Sequence, residues 1–306
     1  MEYLKSFVTN SKLQTALCVF GGYFLAKSTC KLLSWTNKNL ISLLLKNDLN
    51  AKYGKEWVVI SGGSAGIGYS FAKLFLQQGF KVLIISSNES KLKTAQNQLQ
   101  SLYENCVIEY IQYDFNKTYT DEEVTNLTNL IKEKTSGEIS ILVNNVGCIT
   151  RNNLTDLKID EINSMININV TSVTFLTKIV VNFMKERQNK GLIIASGSVA
   201  GRMRHPGRSI YSATKSYLEA FSETIPKEHK GKIDCTYLEI GPVETELNQM
   251  GFPLTISPDD LVTQSAKKVG KYGFTTGHLN HEIMNVVWWN MPCCREKLMT
   301  GKNNNN

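Results

Sequence analysis

The chain has 306 residues, of which 42% are hydrophobic and 20% charged, and this composition is ordinary for a protein with a packed core. Its net charge of +7 is concentrated at the ends: residues 1–52 hold seven lysines against two acids, a surplus of five, and residues 251–306 hold six basic residues against four acids, a surplus of two. The neutral middle argues against a nucleic-acid groove on the main domain, and the basic ends favour contact with an anionic surface such as a membrane.

The seven cysteines are odd in number and follow no CxxC or Cys/His spacing, which argues against a disulfide framework or a zinc site. Reduced thiols in a cytosol-facing protein fit this pattern better. His278 and His281, in "HLNH", have no nearby cysteine or acidic partner in a fixed motif. No metal site is therefore predicted.

Near the N-terminus, residues 13–26 form an uncharged run between Lys12 and Lys27. A membrane-spanning helix needs about 20 apolar residues, and lysine stems at both borders extend the run. The following "KLLSWTNKNLISLLLKNDL" is typical of an interfacial amphipathic helix. We therefore predict a membrane anchor and amphipathic linker over residues 1–52, with a helix packed on the domain or on a second subunit as the alternative. More lysines follow the apolar run than precede it, which favours a cytoplasmic main domain.

The middle of the chain alternates short β-rich runs with longer helical stretches. Several of these runs are continuously apolar, as expected of strands buried on both faces. The alternation predicts an α/β fold, a Rossmann-type doubly wound parallel sheet with helices on both faces. Ligands of such sheets bind beyond the carboxyl ends of the strands. The predicted strands are 57–62, 81–87, 107–114, 139–145, 191–197 and 233–241.

A glycine-rich loop, "SGGSAGIG", joins the first strand to the first helix and contains Gly62, Gly66 and Gly68. Glycines allow the backbone to approach a pyrophosphate closely, and the helix N-terminus supplies N–H donors and the positive end of the dipole. This connection predicts a dinucleotide-binding site.

The second strand ends in "SSN", residues 86–88, with no Asp or Glu. A carboxylate at this position hydrogen-bonds the ribose of NAD and repels a 2′-phosphate, so its absence favours NADP. No arginine is present to clamp the phosphate, and Ser87, Asn88 or Lys91 would have to bind it.

The pattern Tyr-x-x-x-Lys occurs four times, and at most one pair can be the catalytic pair of a single active site. A lysine at i+4 lies on the same helix face as the tyrosine, where its charge favours the phenolate. Only the fourth pair follows a serine that closes a buried strand, at a distance of thirteen residues, and the Tyr-x-x-x-Lys spacing alone does not decide which pair is catalytic. The pairs are Tyr23/Lys27, Tyr69/Lys73, Tyr113/Lys117 and Tyr211/Lys215.

At this point the chain closely resembles the short-chain dehydrogenase/reductase family, over roughly residues 57–247. Each motif is common, but their order along the chain is highly specific. Ser61 in place of the usual threonine and Ile240 in place of the usual proline are modest departures that remove no catalytic group. The matching landmarks are Gly62-x-x-x-Gly66-x-Gly68, Asp114, "NNVG" at 144–147, Asn169, Ser198, Tyr211-x-x-x-Lys215 and "GPVET" at 241–245.

The resemblance implies a role for each catalytic residue. Tyr211 is expected to be the general acid, Lys215 to hold the nicotinamide ribose, and Ser198 to hydrogen-bond the substrate carbonyl. Asn169 is expected to anchor a water in a proton relay to Lys215, and Thr245 to contact the nicotinamide carboxamide. The residues expected to bind the NADP(H) cofactor are Gly62, Ser64, Gly66, Ile67, Gly68, Ser87, Asp114, Asn145, Tyr211, Lys215, Val243 and Thr245.

Within the family, "ININVTSV", "IYSATK" and "QSAKKVGKYGFTTGHLNH" resemble the membrane-bound very-long-chain 3-oxoacyl-CoA reductases and their relatives, the 17β-hydroxysteroid dehydrogenases. The implied reaction is NADPH-dependent reduction of a 3-oxoacyl-CoA during fatty-acid elongation at the endoplasmic reticulum. The alternatives are oxidoreduction of a steroid, a ketosphingoid base or another lipid ketone, and, from a different class, a non-catalytic nucleotide-binding membrane scaffold.

We therefore expect a catalytic domain over 53–250 that faces the cytosol. Residues 251–306 are expected to form a substrate lid and a membrane-associated C-terminal segment, in which Trp288 and Trp289 precede a disordered tail. The expected partners are a lipid or acyl-CoA substrate and the membrane, but no nucleic acid. The resemblance also implies a homodimer through helices around 160–187 and 211–224, and contact with other elongation enzymes.

Overall fold

The structure, a computed structural model, describes residues 11–245 and 254–290, the last four of these without their side chains. The chain divides into two compact units between Lys46 and Asn47. The predicted tail and part of the predicted lid, together with the side chains of Trp288 and Trp289, lie outside what is described.

The described part of the N-terminal unit contains one continuous helical run of 34 residues, Ser11–Leu44, in which an 18-residue window has a mean hydropathy of 1.2. It consists of α1 (Ser11–Thr36), a π-helical turn (Asn37–Ile41) and a final short turn (Ser42–Leu44). No residue of α1 is buried. At about 1.5 Å per residue the run is about 50 Å long, which exceeds the hydrocarbon thickness of a bilayer. By length and composition this helix can cross a membrane.

The second unit is built on a seven-stranded parallel sheet in the order β3-β2-β1-β4-β5-β6-β7. This arrangement confirms the predicted doubly wound sheet. All six predicted strands are present, while β7 has only two residues and is too short to show a periodic pattern in the sequence. The strands are β1 (Trp57–Ser61), β2 (Lys81–Ser86), β3 (Ile108–Gln112), β4 (Ile139–Asn144), β5 (Gly191–Ser196), β6 (Ile233–Leu238) and β7 (Phe274–Thr275).

Helices connect the strands and cover both faces of the sheet. Several begin at a side-chain cap, as where the Asn88 and Thr120 side chains accept hydrogen bonds from backbone N–H groups of the first turn. The helices are α2 (Leu49–Tyr53), α3 (Gly66–Gln77), α4 (Glu89–Leu102), α5 (Asp121–Thr135), α6 (Ile159–Ile166), α7 (Ser172–Glu186), α8 (Ala200–Met203), α9 (Ser209–Glu228), α10 (Pro258–Ala266) and α11 (Leu279–Asn290).

Alternate residues of the central strand point to two separate cores. Val58 and Ile60 of β1 pack with α2, α3, α4 and α10 on one face. Trp57 and Val59 pack with α5, α7 and α9 on the other. This period of two is the geometry of a strand covered on both faces, and it explains the continuously apolar sequence of β1.

The helical run Ile159–Glu186 is also long and apolar enough to cross a membrane, but half of its most apolar window is buried inside the fold. It contains α6, a π-helical turn (Asn167–Thr171) and α7. Leu176 and Val180 of α7 lie in the core beneath the sheet. We therefore interpret this run as a core element of the domain.

The start of the second unit is held to β6 by one carboxylate. Asp234 accepts a hydrogen bond from the hydroxyl of the fully buried Tyr53 (2.9 Å) and forms a salt bridge with Lys52 (2.8 Å). Burial raises the pKa of Asp234, but the hydrogen bonds from Lys52 and Tyr53 and the positive charges of Lys52 and Lys190 outweigh this effect, and the net pKa is lowered. The ionised carboxylate therefore stabilises the attachment of α2.

We expect Asp234→Ala to lower the free energy of unfolding by about 1–3 kcal/mol at neutral pH, because the Tyr53 hydroxyl loses its nearer acceptor and is left with the carbonyl of Gly270 at 3.4 Å. The lowered pKa means that this contribution is present above the ordinary value of 3.8 and is lost as the pH falls through the folded-state value. Urea unfolding at about pH 7 and about pH 3 measures both effects. Asp234→Asn keeps an acceptor and should cost less, and an equal loss in both variants would contradict this account.

Candidate active site

The carboxyl ends of β1 and β4 are held together by a buried hydroxyl. Ser61 Oγ accepts hydrogen bonds from the N–H groups of Asn145 (3.0 Å) and Val146 (3.2 Å) and donates to the carbonyl of Val143 (3.3 Å). The side chain of Asn145 in turn donates to the carbonyl of Gly62 (3.2 Å). The serine that replaces the usual threonine therefore retains the connection between the two strands.

The glycine-rich loop follows directly after β1. Gly62 and Gly66 have φ angles of +68° and +54°, a region that residues with a Cβ adopt with strain. A Cβ on Gly68 would lie 2.1 Å from the carbonyl oxygen of Gly62, so only glycine allows α3 to start this close to the loop. Ser64 Oγ hydrogen-bonds Ser86 Oγ at the end of β2 (3.2 Å).

The remaining predicted cofactor residues near this loop lie along the same edge. Ile67 packs against the core below β1 and β2. The carbonyl of Ser87 accepts from the side chain of Gln112, which links the ends of β2 and β3 (3.2 Å). Asp114 is exposed after β3, and its carboxylate accepts from the N–H of Asn116 (2.9 Å).

Lys215 is the buried charge of the site. It lies on α9, is only 5% exposed, and donates from Nζ to the carbonyl of Ser196 at the end of β5 (3.0 Å). The same Nζ lies 5.7 Å from the centre of the Tyr211 ring. The predicted tyrosine–lysine pair thus faces the carboxyl end of the sheet.

Asn169 is held in the π-helical turn between α6 and α7 and is 1% exposed. Its Oδ1 accepts from the N–H of Cys148 (2.8 Å), and its Nδ2 donates to the carbonyl of Cys148 (2.9 Å) and to Thr214 Oγ1 (3.2 Å). A Cβ built on Gly147 would lie 3.3 Å from Asn169 Oδ1 and 3.6 Å from Lys215 Nζ. The amide and the ammonium group therefore converge over the backbone of Gly147.

Ser198 lies beyond β5 and is supported by a residue that the sequence did not indicate. The hydroxyl of Tyr237, on the buried strand β6, accepts from the N–H of Ser198 (3.3 Å) and lies 3.3 Å from the carbonyl of Lys215. A Cβ on Gly197 would lie 2.1 Å from the Tyr237 ring, so that glycine permits the close packing. Tyr237 links the backbone of Ser198 to the backbone of α9.

Two of the other three Tyr-x-x-x-Lys pairs have ion-pair partners elsewhere in the second unit. Lys73 forms an ion pair with Asp259 of α10, and Lys117 forms one with Glu123 (3.5 Å). In α1, Lys27 Nζ lies 5.7 Å from the Tyr23 ring centre, the same distance as in the Tyr211/Lys215 pair. That distance follows from the i+4 spacing alone, and burial against the end of β5 is what distinguishes Lys215.

The loop after β6 extends to the glycine-rich loop that follows β1. The buried Val243 forms a β-bridge with Ile256. Thr245 reaches the glycine-rich loop, since a Cβ on Gly66 would lie 3.4 Å from its Cγ2. The predicted cofactor and catalytic residues therefore lie along one edge of the sheet.

The ring nitrogens of both histidines in "HLNH" are engaged in hydrogen bonds. His278 Nδ1 accepts from the N–H of Asn280 (3.1 Å), and the His281 nitrogens contact the loop after β6. Over residues 11–245 and 254–290, no group of three or more His, Cys, Asp or Glu side chains is placed to hold a metal ion.

We expect Gly68→Ala to lower the free energy of unfolding by about 1–3 kcal/mol, because the new methyl group overlaps a backbone carbonyl that cannot move without breaking the loop. Urea denaturation measures the loss. Gly273→Ala is the matched control, since its nearest neighbour would be 3.9 Å away. Equal stability of the two variants would show that the close approach is not required.

A family model described as "short chain dehydrogenase" matches residues 56–252. The very-long-chain 3-oxoacyl-CoA reductase of Rattus norvegicus is 33% identical over 241 residues, 76% of this chain and 74% of the relative. "Putative steroid dehydrogenase 3" of Caenorhabditis elegans is 30% identical over 268 residues, 85% of this chain and 83% of the relative.

Solved structures share the fold at lower identity. A short-chain dehydrogenase from Sphingobium yanoikuyae in complex with NADPH superposes with a TM-score of 0.65 at 22% identity, over 82% of this chain and 98% of that one. A 7beta-hydroxysteroid dehydrogenase gives a TM-score of 0.69 at 20% identity, over 79% and 94%. The sheet order, the ordered motifs and these matches agree with the resemblance found in the sequence: the chain belongs to the short-chain dehydrogenase family and is an oxidoreductase.

Proposed function

We propose that the protein reduces the 3-oxo group of a long-chain 3-oxoacyl-CoA to the 3-hydroxyacyl-CoA, with NADPH as the reductant. The observation that carries the proposal is the buried Lys215, directed at Ser196 and lying beside Tyr211 and Asn169. A buried ammonium group beside a tyrosine and an asparagine can assist the transfer of a proton to a carbonyl oxygen.

The residues present fit a dinucleotide. The loop glycines Gly62 and Gly66 hold positive φ angles, and Gly68 leaves no room for a Cβ, so backbone N–H groups at the start of α3 are accessible to a pyrophosphate. Ser87, Asn88 or Lys91 would bind a 2′-phosphate, since no carboxylate follows β2. When bound, the nicotinamide supplies the hydride.

The chain's own residues would then handle the proton. Tyr211 donates its phenolic proton to the substrate oxygen, and the positive charge of Lys215 stabilises the phenolate that remains. Ser198 hydrogen-bonds the same carbonyl and orients it. Asn169 holds the backbone of Cys148 with both ends of its amide and positions the relay that returns a proton toward Lys215.

Two arginines, one of them close to Tyr211, favour an anionic substrate. Arg208, half-buried, immediately precedes α9, three residues before Tyr211. Burial and the nearby positive charge of Arg151 both lower its pKa. Two like charges brought together beside a catalytic tyrosine suit a ligand with several phosphate charges, and coenzyme A has them while a steroid does not.

The helix Ser11–Leu44 supports a membrane location for this reaction. A long acyl chain partitions into lipid with a free energy of about 0.8 kcal/mol per CH₂, so an anchored enzyme meets its substrate where the substrate accumulates. We propose an endoplasmic-reticulum membrane with the catalytic unit on the cytosolic side, because the lysines concentrate after the apolar run.

Steroid oxidoreduction by the same residues is the second candidate. Relatives from Caenorhabditis elegans that are 30–32% identical to this chain carry the name "putative steroid dehydrogenase". The chemistry of Tyr211 and Lys215 would be unchanged, and only the surface that holds the substrate would differ.

We expect the detergent-solubilised protein to oxidise NADPH with a long-chain 3-oxoacyl-CoA, faster than with NADH and faster than with a 17-ketosteroid. Tyr211→Phe should lower kcat by about a hundredfold or more, because the general acid is lost. Absorbance of the reduced nicotinamide measures both.

Tyr69→Phe is the matched control for that variant, since it alters another Tyr-x-x-x-Lys pair and should leave kcat unchanged. A steroid preference with the same dependence on Tyr211 would support the second candidate. Turnover that is unaffected by Tyr211→Phe would reject the mechanism for either substrate.

We expect Arg208→Gln to raise KM for the 3-oxoacyl-CoA several-fold with little change in kcat, because a phosphate contact is removed while Tyr211 is retained. The same acyl group on N-acetylcysteamine, which has no phosphates, should show the same KM with both proteins. An equal rise in KM for both thioesters would contradict phosphate recognition by this arginine.

A further inference from the structure

The inner face of α11 contains a histidine that the proposed reaction does not use. His281 is fully buried. Its Nδ1 accepts a hydrogen bond from the N–H of Gly241 (3.2 Å), and its Nε2 lies 3.1 Å from the carbonyl oxygen of Pro242. One imidazole ring thus contacts the polar backbone groups of two consecutive residues in the loop after β6, where Glu239 and Ile240 separate them from the end of the strand.

The two contacts define the state of the ring. Because Nδ1 accepts from Gly241, the proton of a neutral imidazole resides on Nε2, which donates it to Pro242. Burial is the largest of the influences that lower the pKa of His281 to about 4, so the ring is neutral at physiological pH. The neutral ring can keep both hydrogen bonds at once.

The packing around His281 is close. A Cβ on Gly241 would lie 2.6 Å from His281 Cδ2, although Gly241 does not have a positive φ. The glycine is therefore required by the ring and not by the backbone conformation. One helical turn later, Asn285 donates a hydrogen bond to the buried Glu239. Through His281 and Asn285, α11 binds the segment that leaves β6.

This segment leads directly into the site. The carbonyl of Ile240 accepts from the N–H of Val199, next to Ser198 (3.0 Å). Beyond Pro242, the chain continues through the Val243–Ile256 bridge to Thr245, which reaches Gly66 of the glycine-rich loop. The start of the loop after β6 is therefore attached to His281. The far end of the same loop, at Thr245, faces the glycine-rich loop that is expected to bind the pyrophosphate.

We propose that His281 is a positioning residue for the nicotinamide end of the cofactor, because it holds the Gly241–Pro242 backbone from which Val243 and Thr245 extend. The proposal rests on the dinucleotide site of the proposed function, but not on the identity of the carbonyl substrate. It concerns only the half of the cofactor that these two residues would contact. The adenosine half, bound between β1 and β2, should not depend on His281.

The test is direct binding to the full-length protein in detergent, with two ligands. One is the reduced dinucleotide, NADPH or NADH, and the other is the matching fragment without nicotinamide, 2′-phospho-ADP-ribose or ADP-ribose. We expect His281→Leu to raise the Kd of the dinucleotide roughly tenfold, because the Gly241 N–H loses its acceptor, and to leave the Kd of the fragment within about twofold.

Three further variants separate positioning from stability. His281→Asn keeps an acceptor near the Nδ1 position and should recover part of the dinucleotide affinity. Gly241→Ala displaces the imidazole ring from the other side and should reproduce the selective loss of dinucleotide affinity. This variant also provides the test if His281→Leu fails to fold. His278→Asn is the control in the same motif, because its bonds go to Gln264 and Asn280, and it should change neither Kd.

Equal weakening of both ligands in the His281 and Gly241 variants would overturn the proposal, since a general loss of folded protein affects both halves. An unchanged dinucleotide Kd in all of them would overturn it as well. If the wild-type protein bound neither dinucleotide, the proposed function itself would fail. Failure of the proposed function can thus be told apart from failure of this proposal, in which the wild-type protein binds NADPH normally but the variants show no selective loss.

Discussion

The site depends on the burial of one ammonium group. Lys215 is 5% exposed, and its Nζ donates to the carbonyl of Ser196. Removing a charge from water costs several kcal/mol. This cost is offset only where hydrogen-bond acceptors and polar neighbours are held in fixed positions around the charge. The parallel sheet meets this requirement, because the end of β5 presents its carbonyls where α9 begins. Tyr211, Asn169 and the loop after β4 are arranged around that group.

Several residues that are given no catalytic or cofactor role support this arrangement. Tyr237 joins the backbone of Ser198 to α9, and Thr214 joins Asn169 to the same helix. Ser61 joins the ends of β1 and β4 beneath the glycine-rich loop. Each bond connects two elements that carry a site residue, so the positions of the reactive groups follow from buried strands and not from flexible loops.

The sequence predicted the sheet well because several of its strands are continuously apolar, and the observed strand ends differ from the predicted ones by only one to three residues. It did not predict β7, whose two residues have no periodicity. The ordered motifs located the site residues along one edge, although their roles remain predictions.

The contacts of Tyr237 and His281 could not have been predicted in this way. They join residues about 40 positions apart, and they depend on how β6 and α11 pack. In the sequence, His281 appears only in "HLNH", for which no metal site is predicted, and in the longer segment that resembles the reductase branch. Burial against a glycine is what assigns it to the loop after β6.

The π-helical turn at Asn167–Thr171 has a consequence for how this helix can vary in evolution. Such a turn contains one residue more than a regular α-helical turn, and each residue of an α-helix rotates the chain by about 100°. The extra residue allows Asn169 to face Cys148 while Leu176 and Val180 still face the core. Shortening the turn by one residue would rotate the residues that follow it about the helix axis relative to those that precede it. The amide and the apolar stripe therefore constrain each other's spacing, and insertions or deletions at this point are excluded by geometry even where substitutions are tolerated.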